Sequence, residues 1–125
     1  MGTFGPGNFD SDGSADYLSE VTGKIIADLT AAMEDPAELE PDEVGGVEVP
    51  CRIELLVLIA KQGWMGTELP AVKTVQQWRV KFMEVWERCI DGLDPKPDHK
   101  AKRREVLERT FEALLAASKE HEAEG

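Results

Sequence analysis

At 125 residues the chain has the length of one domain, and with 42% apolar and 31% charged residues it has an ordinary globular composition. Its net charge of −11 is concentrated: residues 1–45 hold 11 acidic side chains against Lys24 alone, while the remaining two thirds are close to neutral. Such a field disfavours nucleic acid and anionic membrane and speeds encounter with basic proteins. No apolar run reaches the roughly 18 residues of a membrane span, and the N-terminus lacks the basic start and apolar segment of a secretory leader. A cytoplasmic protein without membrane contact is the expectation.

The opening stretch, "GTFGPGNFDSDGSADYL" from Gly2 to Leu18, sets Phe4 and Phe9 among glycines. Glycine permits close backbone approach, and each ring contributes about 1.5–3 kcal/mol if fully buried. The expectation is an extended arm, residues 1–13, packed across a helical body. From Ala15 to Met33, Leu18, Val21, Ile25, Leu29 and Ala32 recur at steps of three and four, which predicts a helix with one apolar stripe. Asp12 or Ser14 can cap it. Pro36 closes it off, because the residue before a proline is driven out of helical geometry.

An acidic connection follows, "EDPAELEPDEVGG". A second helix is predicted over 49–61, with Pro50 in its first turn and Gly63 as a left-handed stop. Its run "IELLVLIA" is apolar on every face, which points to a central helix. A third is predicted from between Pro70 and Thr74 to Asp91, opened by a Thr74/Gln77 capping box and burying Val75, Trp78, Phe82, Val85, Trp86 and Cys89. After the turn "DGLDPKPD", a fourth spans His99 to Ser118 with Leu107, Phe111, Leu114 and Leu115 inward. Residues 119–125 read as a frayed tail. The fold class is therefore all-α, a bundle of about four helices forming one domain over 1–118. Short connections favour antiparallel neighbours, which would bring Cys51 and Cys89 to the same end, where a bridge is conceivable and two buried, reduced thiols are the expectation.

Candidate chemistry is sparse. Asp10, Asp12 and Asp16 suggest the start of a cation loop, but counting from Asp10 the sixth residue is Ala15 and the twelfth Val21, where a calcium loop needs Gly and Glu. Helix capping explains the same carboxylates. Gly2 and Gly7 have the spacing of a phosphate loop, yet Asn8-Phe9 replaces the Lys-Ser/Thr pair. Cys51 would need a base, and His99 and His121 are the only histidines. The basic run Lys96–Arg104 is diluted by Asp98 and lacks interleaved aromatics for stacking. No catalytic residue and no cofactor are expected.

The segment "MGTFGPGNFDSDGSADYL" resembles the N-terminal signature of a bacterial family catalogued as domain of unknown function 4259. Phe4, Gly5, Gly7, Phe9, Asp10, Asp12, Asp16 and Tyr17 carry the resemblance, echoed by Trp86, "IDGLDPKP" and Arg103/Arg104. Phe4 stands where relatives carry Trp. The resemblance covers residues 1–118 and implies no catalytic residues.

Two function classes follow. One is a non-enzymatic module binding a basic protein, of immunity or regulatory type, through Glu34, Asp35, Glu38, Glu40, Asp42, Glu43 and Trp64. The other is a small metal-dependent enzyme or regulator using Asp10, Asp12 and Asp16 with a distant histidine. Nothing in the residues sets an oligomeric state.

Overall fold

Four α-helices carry the chain in a computed structural model that describes residues 2–124: α1, Asp12–Met33; α2, Val44–Lys61; α3, Val72–Cys89; and α4, Pro97–Glu124. Two 3-10 turns, Pro36–Leu39 and Ile90–Leu93, bridge α1 to α2 and α3 to α4. The all-α bundle is the architecture that the helical periodicities predicted.

α1 begins at a reciprocal cap. The Ser14 amide donates to Ser11 Oγ (3.1 Å) and the Ser11 amide donates to Ser14 Oγ (3.2 Å), so two otherwise orphaned donors are satisfied. Ser11 is thus the N-cap, rather than Asp12 or Ser14. The buried stripe is also rotated from the one expected. Leu18 and Leu29 are buried with Thr22 and Met33, while Val21, Ile25 and Ala32 sit at the margin. Thr22 enters the core because its hydroxyl is fully used: it donates to the Leu18 carbonyl (2.8 Å) and accepts from the Glu68 amide (2.9 Å).

Residues 2–11 do not run as an extended arm. They fold back on themselves, with Thr3 bridged to Ser11, the Phe4 amide donating to the Asp10 carbonyl (2.9 Å) and the Asp12 amide to the Gly2 carbonyl (2.6 Å). Only one ring docks. Phe9 stacks on Trp64, centroids 4.1 Å apart, whereas Phe4 remains 51% exposed. The expected two-ring anchor is therefore a one-ring anchor. The remaining attachment is backbone, as local pairing satisfies the polar groups that an extended arm would leave open.

α2 starts five residues earlier than predicted. Gly45 and Gly46 are buried in its first turn because the 38–40 backbone crosses there; a Cβ on Gly46 would strike the Glu40 carbonyl. Pro50 consequently lies in the second turn, where it forgoes a helical hydrogen bond to the Gly46 carbonyl. Nor is α2 central. Val49, Ile53, Leu56 and Val57 face inward, but Val44, Val47, Leu55 and Leu58 are each more than half exposed. Gly63 does close the helix with φ +68°.

The N-terminus of α3 has no local side-chain cap; the Thr74/Gln77 box does not form. Instead the Val72 amide donates to Glu122 Oε2 (2.7 Å), fifty residues away on α4. That contact accompanies another correction. The segment expected to fray continues α4 as regular helix through Glu124. Helix neighbours also differ from the simple antiparallel sequence. α4 packs against both α2 and α3, whereas α2 and α3 touch only marginally. Cys51 is exposed and Cys89 half-buried, both free, so neither fits the expected buried pair. The core centres on Trp78, Phe82 and Trp86 of α3 against Leu107, Phe111 and Leu114 of α4, with Phe82 and Phe111 tilted at 5.5 Å.

Candidate functional site

The acidic connection between α1 and α2 is built on one buried residue. Leu39 is 0% exposed and pins the 3-10 turn to the core, leaving the carboxylates around it outward. Glu34, Asp35, Glu38, Asp42 and Glu43 are exposed, and Glu40 is half-buried with its carbonyl lodged over Gly46. Backbone bonds stiffen the path, the Glu38 amide donating to the Asp35 carbonyl (3.0 Å) and the Glu43 amide to the Glu40 carbonyl (2.9 Å). Among the described residues none of these six carboxylates forms an ion pair. Six like charges in ten residues, held in a defined path without a counterion from the protein, project a negative potential into solvent.

Charges on α3 and α4 are arranged differently. Arg79 binds Glu108, Lys100 binds Asp91 (2.6 Å), and Arg104 engages Glu87 through two hydrogen bonds while lying 5.4 Å above the Trp86 ring. The Arg104 hydrogen bond holds the Glu87 carboxyl below the usual carboxylate range against an opposing desolvation effect. The same bond raises the Arg104 pKa. The basic run Lys96–Arg104 thus spends its best-placed cations inside the protein.

Trp64 is not part of the acidic surface. It follows the C-terminus of α2, and the loop precedes the N-terminus, so the 18-residue helix separates them by about 27 Å. There Trp64 lines an open cleft of about 590 Å³ between the ends of α2 and α4, floored by Val57, Leu69 and Ala113. Lys61, Glu120 and His121 stand at its exposed edge. The Phe9 stack and a bond from Ser19 Oγ to the Gly66 carbonyl (2.6 Å) fasten this loop to the N-terminal region.

The early aspartates are structural groups here. Asp10 Oδ2 accepts from the Gly7 amide (2.8 Å), Asp12 opens α1, and Asp16 is exposed one turn along. Among the described residues no group of three or more His, Cys, Asp or Glu side chains lies where it could hold a metal ion. Cys51 lies on α2, and His99 and His121 both lie on α4; among the described residues no hydrogen bond joins the thiol to either imidazole. No described helix is long and apolar enough to cross a membrane.

The feature that sequence reasoning missed is the outer face of α2. Its run "IELLVLIA" is apolar on every face, yet Leu55 and Leu58 within it are uncovered. The signal was present in the spacing, since Val44, Val47, Leu55 and Leu58 form a second helical stripe beside the core-facing one.

Comparison with known protein families, curated proteins and solved structures finds no match to this chain.

Proposed function

We propose that the chain is a non-enzymatic binding module that receives a basic segment of a partner protein on its 34–43 loop. The supporting observation is the set of six carboxylates within ten residues on a turn pinned by buried Leu39, none of which forms an ion pair among the described residues. A partner that brings Lys or Arg supplies the missing counter-charge, and long-range attraction accelerates the encounter. Neutralisation of a basic toxin and regulation of a basic protein are the two forms of this reading. Neither needs a reacting group on the chain.

The test is affinity capture from the native host with wild type and with a Glu34→Gln, Asp35→Asn, Glu38→Gln, Asp42→Asn variant. The expected result is a basic protein retained at about 50 mM salt and released at about 500 mM, where the Debye length falls to a few ångströms. The variant should not retain it. Capture that ignores both salt and the four substitutions, or no capture at all, overturns the reading.

A further inference from the structure

Ten large apolar side chains are exposed among the described residues, and four of them, Val44, Val47, Leu55 and Leu58, share α2. With exposed Cys51 between them they run 44, 47, 51, 55, 58 along one helical face. The intervals are three, four, four and three, so the stripe reads identically in both directions about Cys51. A face of this kind is complementary to itself when a second copy is laid antiparallel upon it.

We propose that the protein forms a two-fold dimer through α2, with the axis passing beside Cys51. Residue n of one copy then lies opposite residue 102 − n of the other: Val44 on Leu58, Val47 on Leu55, Cys51 on Cys51. The symmetry is that of an isologous contact.

Charge selects the antiparallel orientation. Glu43 ends the stripe at one side and Lys61 at the other, and among the described residues neither has an ion-pair partner. Antiparallel packing brings Lys61 of each copy within about 3 Å of axial register with Glu43 of the other. A parallel pairing would offer no such pair, since Glu43 would then share its level with Glu43 and Lys61 with Lys61. By the same register Glu48 of one copy is level with Glu54 of the other, but the two stand on opposite edges of the stripe, six residues and so about 120° apart. Glu48 is in any case engaged by Arg52 (3.1 Å).

An 18-residue helix face buries on the order of 600 Å² per copy, below the standard protein–protein interface. A reversible dimer of micromolar affinity follows, rather than an obligate one. Of the loop carboxylates the dimer engages Glu43 and leaves Glu34, Asp35, Glu38 and Asp42, the four replaced in the capture variant, outside the contact line.

Sedimentation from about 5 to 500 μM should show wild type passing from monomer to dimer. Leu55→Lys and Val47→Lys should each remain monomeric across that range with an unchanged helical circular-dichroism spectrum, as both side chains are more than half exposed in the monomer. In a Cys89→Ser background, a short bismaleimide should cross-link Cys51 to Cys51, and Cys51→Ser should abolish the product. A wild type that stays monomeric, a dimer that persists in Leu55→Lys, or a dimer that Cys51 does not cross-link overturns the proposal.

Discussion

The α3–α4 pair and α2 with its leading loop are built from similar material, helices of alternating apolar and charged residues, and they use it in opposite ways. On α3 and α4 the aromatic side chains are consumed inward, Trp78, Phe82 and Trp86 against Phe111, and the charges are consumed laterally, Arg79 on Glu108 and Arg104 on Glu87. On α2 and residues 34–43 both resources are left over. Four apolar side chains face out, and six carboxylates form no ion pair among the described residues. The first region commits its aromatics and these charges within the monomer, although Val80 of α3 stays exposed; the second gathers its uncommitted groups on one helix face and one loop. Stability should therefore reside in the first and recognition in the second.

The sharpest way to break that contrast is to truncate one apolar residue in each region. Phe82→Ala removes a fully buried ring from the Phe82–Phe111 contact and should cost about 3–5 kcal/mol in denaturant unfolding. Leu55→Ala, on a side chain 55% exposed, should stay within about 0.5 kcal/mol in dilute solution. Equal losses would mean that the outer face of α2 is part of the monomer's core, against the dimer.

A smaller effect tests how the acidic loop is held. Gly46→Ala places a methyl against the Glu40 carbonyl, which has only backbone to move, and should destabilise by about 1–3 kcal/mol. Its melting temperature should fall, and amide exchange in residues 34–43 should quicken. A neutral substitution would show that the loop path is not fixed by this crossing.

The smallest effect concerns the paired region. Glu87→Gln removes a carboxylate whose pKa is depressed in the fold, chiefly by the Arg104 hydrogen bond. A depressed carboxyl contributes stability above its unfolded pKa of about 4.3 and loses it as pH falls through the lower folded value. Wild type should thus melt slightly above the variant at pH 7, and the gap should close on acidification below the folded pKa. The pair is partly solvated, so the gap is small at any pH and shrinks further in salt.

Much of the fold was legible because helical periodicity is a local property. The stripe Val75, Trp78, Phe82, Val85, Trp86 predicted the buried face of α3, and Leu107, Phe111 and Leu114 that of α4. The candidate site was legible in part. The six loop carboxylates were evident from composition, but their lack of partners depends on where Arg52, Lys61 and Lys100 end up. Trp64 was grouped with them on residue type alone, and the length of α2 separates them. Two of the differences come from contacts between residues far apart in the chain: the Val72 amide is capped by Glu122, and Thr22 is satisfied by Glu68. Others are local, as where Ser11 and Ser14 cap each other and the Glu40 carbonyl lies over Gly46.

Residue order was enough to establish helices, the inward stripes of α3 and α4 and the excess of negative charge in the first third, because each depends on local composition or on spacing within a few turns. It could not establish which stripe of a doubly apolar helix would be covered. That depended on α4 packing between α2 and α3, which covers one side of α2 and leaves the other to solvent. Burial is a property of neighbours, and a helix with two apolar faces carries no internal sign of which one the rest of the chain will reach.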